Sequence, residues 1–96
     1  MIQSFKCKET EGRFNRIFSK KFPNDIQRFA LLKLRMLNRA TIVNDLKVPS
    51  SNHLELLKGN RIGQYSIRIN EQWRICFIWW KGDAFDVEIV DYHKEV

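Results

Sequence analysis

The chain has little of what metal sites, disulfide frameworks and membrane spans are made from. Its 96 residues include two cysteines and two histidines. Cys7 and Cys76 lie far apart and lack metal-ligand spacing, so no metal and no cofactor is expected. The pair could close one disulfide, but one pair is no secreted framework. Both read as reduced thiols of a cytoplasmic protein. No apolar run is long enough to cross a bilayer, and Met1-Ile2-Gln3-Ser4-Phe5-Lys6 lacks the long apolar core of a signal peptide. There are no internal repeats and no low-complexity tract. Acidic side chains are also short: eleven Asp and Glu face seventeen Lys and Arg, for a net charge of +6. That balance fits a polyanion partner, an acidic protein partner, or simply a soluble basic surface.

What is present is a core. Hydrophobic residues make up 44% of the chain, with seven Phe and three Trp, which argues against wholesale disorder. The length suits a single domain over residues 1–96. Ile2 to Lys6 reads as a short edge strand. Thr10 to Phe18 puts Phe14, Ile17 and Phe18 on one helical side, and Pro23 ends that stretch. Asn24 and Gln27 have the spacing of a capping box, and a longer helix runs on to about Arg39. Its expected buried stripe is Ile26, Phe29, Ala30, Leu34 and Leu37, with Gln27, Arg28, Arg35 and Asn38 facing away as a solvated side. Pro49-Ser50-Ser51-Asn52 marks a loop. Leu54, Leu56 and Leu57 should pin the next segment to the core, and Lys58-Gly59-Asn60-Arg61 forms a turn. Three strands follow: Gln64 to Ile69, Trp73 to Trp80, and Ala84 to about Tyr92. Helices grouped before strands suggest an α+β fold: a short N-terminal strand, two helices, then a three-stranded antiparallel meander with the helices on one sheet face.

The first hairpin carries the sharpest signal. Tyr65, Ile67 and Ile69 alternate on one face, as do Trp73, Ile75 and Phe77. Matching those faces across Asn70-Glu71-Gln72 pairs Ile67 with Ile75 and sets Arg68 opposite Arg74. Like charges directly across a sheet repel. They are tolerated if solvated, if a carboxylate lies between them, or if they hold an anion; in so basic a chain the last points to phosphate. A three-residue turn at Lys81-Gly82-Asp83 sets Trp79 against Phe85 and Phe77 against Val87. The face opposite the core then carries Gln64, Ser66, Arg68, Arg74, Cys76, Asp86, Glu88 and Tyr92, with Lys58 and Arg61 just before its first strand. Arginine forks onto phosphate and tyrosine stacks on a base, so this face suits RNA. Tyr65, Trp73, Trp79 and Phe85 belong to the core instead.

Four blocks resemble a known family. Leu57-Lys58-Gly59-Asn60-Arg61, Ser66-Ile67-Arg68-Ile69-Asn70, Trp73-Arg74-Ile75-Cys76-Phe77 and Asp91-Tyr92-His93 look like the HigB toxins, host-inhibition-of-growth members of the RelE/ParE superfamily. They occur in order at family spacing, over essentially the whole chain. The resemblance implies a RelE-like fold and a type II toxin: a ribosome-dependent endoribonuclease that cuts messenger RNA at the A site, without a metal, and so inhibits translation. It implies a HigA-type helix-turn-helix antitoxin as partner, operator DNA reached only through that antitoxin, and no membrane.

The implied chemistry has the substrate's 2′-hydroxyl attack the adjacent phosphorus. That needs a base, cations around the phosphorane, and an acid for the leaving 5′-oxygen. Lys58, Arg68 and Arg74 fit the electrostatic role, and among such cations Lys58 or Tyr92 could act as base or acid. By carry-over from the family, His93 is an acid or base. Asp91 orients His93 or Arg74, or caps a turn, although strict alternation sends both Asp91 and His93 to the core side. Arg61, His53 and Ser66 are RNA-contact candidates, with turn capping or antitoxin binding as other readings of Arg61. Related toxins often carry His three residues before the position of Lys58, where this chain has Glu55. His53, two residues earlier and on the same side of an extended segment, is either its substitute or an exposed loop histidine. Two other functions stay open: a ParE-like gyrase poison, and a non-catalytic basic module that binds ribosomes or RNA.

Overall fold

Helical spacing of apolar residues builds the element on which the rest packs. The computed structural model describes residues 1–92; His93 lies outside the described residues. Helix α1 spans Lys8–Phe14 and helix α2 spans Asn24–Arg39. Ile26, Ala30, Leu34 and Leu37 of α2 are buried, as their spacing requires. Phe29, expected among them, is exposed; a step of about 100° from Ala30 carries it off the stripe. Gln27, expected to face away, is buried and works as a bracket. Its Oε1 accepts from Arg13 Nη1 at 2.7 Å and from the Ser19 amide at 3.2 Å, and its Nε2 donates to the carbonyls of Ser19 and Phe22. Gln27 therefore ties the loop after α1 to α2 and closes no capping box; Pro23 is the residue that precedes the helix. Helix α1 starts and stops earlier than expected. The chain turns left-handed at Arg16, φ 68, which leaves Ile17 and Phe18 beyond the helix and exposed.

Among the described residues the sheet has four strands, the expected three-stranded meander and one addition; the expected N-terminal edge strand over Ile2 to Lys6 is not among them. Strands β2 (Tyr65–Arg68), β3 (Trp73–Trp80) and β4 (Asp83–Asp91) form the antiparallel meander. The addition is β1, Glu55–Leu56, which pairs with β2 through Glu55–Ser66 and Leu56–Tyr65. Two residues are too few to show an alternation in sequence. At the other edge the N-terminal segment runs parallel to β4 in isolated bridges, Ile2 to Ala84 and Phe5 to Val87. In the first hairpin Ile67 faces Ile75 and Arg68 faces Arg74, the register that the apolar faces demand.

The second hairpin is tighter than expected. Trp80 pairs with Asp83 across Lys81-Gly82, whose φ angles are 47° and 85°. Two left-handed residues are what a two-residue hairpin turn needs. Trp79 accordingly faces Ala84 and not Phe85. An irregularity between Cys76 and Ile78, with Asp86 at φ 51 on the facing strand, absorbs one extra residue. Phe77 falls there instead of in a regular pair with Val87, and beyond it the expected register returns as Cys76–Glu88 and Ile75–Ile89.

The main core joins α2 to Ile67, Ile75, Phe77, Val87 and Ile89. Residues that alternate with these point to the other face. There Leu57, Cys76 and Val90 form a small second cluster, with Tyr92 packed against it. Of the three leucines expected to anchor that segment, Leu57 is buried, Leu54 is half-buried and Leu56 is exposed.

Candidate active site

The site forms where β1 adds to the polar side of the sheet. Pairing places Glu55 beside Ser66 and Ser66 beside Cys76, so Glu55, Ser66 and Arg74 share a face. Arg74 reaches over Ser66 toward β1. Its Nε donates to Ser66 Oγ at 2.8 Å, its Nη2 donates to the His53 carbonyl at 2.6 Å, and its Nη1 lies 3.4 Å from Glu55 Oε1. The Tyr92 ring stacks on the guanidinium, 5.1 Å from Cζ to ring centre. Arg74 is only 7% exposed. A charge so buried is costly unless hydrogen bonds and an opposite charge compensate it, and here both do. The planar fork lets one side chain meet a hydroxyl, a carbonyl and a carboxylate together.

His53 contributes main chain to this clamp. Its backbone is left-handed, φ 45, so the extended geometry that would align His53 with Glu55 is absent. Next to it, Asn52 is fully buried. Asn52 Nδ2 donates to the Leu46 carbonyl at 3.1 Å, and its Oδ1 accepts from Lys33 Nζ on α2. Burial holds the Lys33 ammonium below its usual pKa. The sequence reading missed Lys33 and Asn52. Lys33 had a signal: Ile26, Ala30, Lys33 and Leu37 recur at steps of four and three, which places the lysine on the buried side.

In front of the clamp opens a hollow of about 400 Å³, lined by residues 55–61 and Tyr92. Arg74 does not line it, but Glu55 and Tyr92, which touch Arg74, do. The rim is the turn that begins at Lys58. Gly59 follows at φ 65, and a Cβ there would meet nothing within 4 Å, so the glycine is required by its backbone angle and not by crowding. Lys58 is exposed and, among the described residues, makes no ion pair. Arg61 is engaged: its Nη1 donates to Glu88 Oε1 at 2.8 Å and to Gln64 Oε1 at 3.1 Å.

The structure thus gathers Lys58, Arg61 and Tyr92 around the hollow, with Arg74 behind it, and adds Glu55. The sequence reading noted Glu55 only as a departure from relatives. Other candidates go elsewhere. Arg68 faces Arg74 in register but does not line the hollow, and its carboxylate neighbour is Glu71 at 3.9 Å. Each guanidinium has turned to its own carboxylate, so the two do not embrace one anion. Ser66 is fully buried and serves Arg74, which leaves its hydroxyl nothing to offer a bound strand. Asp91 pairs with Trp73, accepts from Gln72 Nε2 at 2.9 Å, and lines a different cleft with Lys20 and Lys21. Alternation puts it on the side opposite Tyr92, and no contact joins it to Arg74. Among the described residues no three His, Cys, Asp or Glu side chains gather as a metal site would need, and no helix is long and apolar enough to cross a membrane.

The family described as the RelE-like toxin of the type II toxin-antitoxin system HigB matches residues 3–93. The chain belongs to that HigB family. Toxin HigB-1 of Vibrio cholerae serotype O1 is 39% identical to it over 72 residues, 75% of each chain. Endoribonuclease HigB of Proteus vulgaris is 34% identical over 94 residues, covering 97% of this chain and 100% of its own. A chain of the YoeB-YefM complex from Staphylococcus aureus shares the architecture, with a TM-score of 0.55 over 92% of this chain and 95% of that one. Its 16% identity makes that likeness one of fold alone. As a HigB-family toxin of a type II system, the protein has an antitoxin as its counterpart.

Proposed function

We propose that this HigB-family chain is a cytoplasmic, ribosome-dependent endoribonuclease that cuts messenger RNA at the A site and is neutralised by a HigA-type helix-turn-helix antitoxin. Operator DNA is reached only through that antitoxin. The observation that carries the reading is the convergence of Lys58, Glu55 and Tyr92 on one open hollow, with the compensated Arg74 charge directly behind two of its walls. The name of the Proteus vulgaris relative, an endoribonuclease, agrees with it.

The chemistry follows from the placement. Glu55 is half-exposed and meets Arg74 through one 3.4 Å contact, whereas Ser66 and the His53 carbonyl grip the guanidinium from the protein side. An incoming phosphate displaces the carboxylate and takes its place on a cation already oriented. Preorganised charge of this kind stabilises a phosphorane without reorganisation during reaction. Lys58, on its turn, adds a second cation that follows the substrate. Glu55 offers a proton acceptor and Lys58 or Tyr92 a donor, which supplies the acid–base pair that 2′-hydroxyl attack requires. Arg61, on the wall of the hollow and held by Glu88, and Arg68, outside it, track the RNA backbone.

The test uses the antitoxin-free chain on ribosomes programmed with a defined message. Wild type cleaves, and Arg74→Ala keeps its fold but loses cleavage. Wild-type cleavage by Arg74→Ala would overturn the site. Intact transcripts with double-strand breaks in DNA would point to a gyrase poison, and ribosome binding without cleavage to a non-catalytic module.

A further inference from the structure

The arginines on the two sides of this molecule are treated differently. On the sheet side each has a carboxylate: Arg61 with Glu88, Arg68 with Glu71, Arg74 with Glu55. On the helical side, Arg16, Arg28, Arg35 and Arg39 form no ion pair among the described residues. Three of these share a stripe with Leu32: Arg28, Leu32, Arg35 and Arg39 follow one another along α2 at steps of four, three and four. Arg16 joins from the segment after α1, where it lines a groove of about 470 Å³ with Leu32, Arg35 and Arg39. Phe29 is 54% exposed and Leu32 is 46% exposed on the same outer side.

This is more than a solvated basic face. Like charges spaced along a helix destabilise it, and the outer side of a surface helix is ordinarily polar throughout. An isolated exposed apolar side chain means little. Here two lie within one turn, set among four guanidinium groups that pair with no carboxylate among the described residues. Arginine together with an aromatic side chain is the composition of interface anchors.

We propose that this stripe is where the antitoxin docks, through an amphipathic segment that sets carboxylates against the arginines and apolar side chains against Phe29 and Leu32. Charge complementarity calls for an acidic occupant. The apolar pair favours a protein over a nucleic-acid backbone, whose phosphates would satisfy the arginines and leave Phe29 and Leu32 uncovered. The inference rests on the chain being a type II toxin and names the surface its partner uses. No residue lines both this groove and the hollow. A partner seated here leaves the hollow open and neutralises the toxin by keeping it out of the ribosome.

The experiment measures affinity for the purified HigA-type antitoxin, alongside cleavage of messenger RNA on ribosomes by the free toxin. The double variant Leu32→Glu/Arg35→Glu, its fold verified by circular dichroism, should bind the antitoxin about a hundredfold more weakly and cleave like wild type. Arg39→Glu alone, at the exposed end of the helix, should weaken binding about tenfold and serves if the double variant does not fold. Wild-type affinity in these variants would overturn the proposal. Retained affinity with lost cleavage would overturn it in favour of an RNA-binding stripe, and loss of both in a folded variant would overturn the separation of the two surfaces. Should even the wild type fail to cleave, the affinity comparison still decides the docking surface on its own.

Discussion

Lys58 lines the hollow, Arg74 lies behind it, and the two are held in opposite ways. Arg74 is buried and gripped by Ser66, the His53 carbonyl and Glu55, and behind His53 stand Asn52 and Lys33. Lys58 is exposed on a turn whose one special requirement is the left-handed Gly59. The contrast teaches how a small basic scaffold divides its charge. A cation meant to stabilise a transition state must already be in place, which takes a supporting shell. A cation meant to follow a moving phosphate needs reach and freedom, and a flexible ammonium supplies both.

The comparison breaks most sharply at the chemistry. Arg74→Lys keeps the charge but loses the fork, since one ammonium cannot meet a hydroxyl, a carbonyl and a carboxylate in that plane. Single-turnover cleavage on programmed ribosomes should fall by about a hundredfold or more, the scale of losing a preorganised electrostatic contact. With Tyr92 as the proton donor, Lys58→Arg should cost about tenfold at most, because the site of Lys58 imposes no fixed geometry. Equal losses at the two positions would mean that rigidity at Arg74 has no catalytic meaning.

A second test moves from activity to stability. Asn52→Ala strands the buried Lys33 ammonium and the Leu46 carbonyl without their partner. Leaving buried polar groups unpaired costs about 1–3 kcal/mol, so denaturant unfolding should show a loss of about 2 kcal/mol or more. Lys58→Ala on the exposed turn should stay within about 0.5 kcal/mol of wild type. A comparable loss from Lys58→Ala would show that the turn is as structural as the clamp.

The same contrast explains what was legible in the sequence. The buried stripe of α2 and the Arg68–Arg74 register were readable because periodic burial dominates both. Lys58 was readable because its turn is local. The pairings of the clamp were not, because its parts are remote in sequence and polar: helical spacing puts Lys33 on the buried side but does not join it to Asn52, nor Arg74 to a carbonyl at His53. No periodicity announces a buried polar side chain whose partner is a backbone oxygen. The extra residue near Asp86 and the two-residue strand β1 escaped for a different reason, since neither is longer than one period of the pattern used to find strands. Glu55 was noticed for what it was not, a histidine, and it lines the hollow. Asp91 shows the converse. The alternation already sent it away from Tyr92, and the structure agrees with the alternation; a role for Asp91 beside His93 lies outside the described residues.

The smallest expected effect lies at the far end of the clamp. Burial lowers the pKa of Lys33 from its ordinary 10.5. Between that lowered value and 10.5 the unfolded chain binds more protons than the folded one. Stability therefore rises with pH across that window, and the contribution is flat below it, where both states hold the proton. Lys33→Met removes the titration. In a series of unfolding measurements from neutral pH upward, the stability of wild type relative to Lys33→Met should climb as pH approaches 10.5. The other titrating groups are common to both proteins and cancel in that difference. A difference that stays flat would show that the hydrogen bond to Asn52 offsets the cost of burying the charge. One that falls with pH would show that the bond outweighs it, and that Asn52 holds Lys33 as an ammonium against its surroundings.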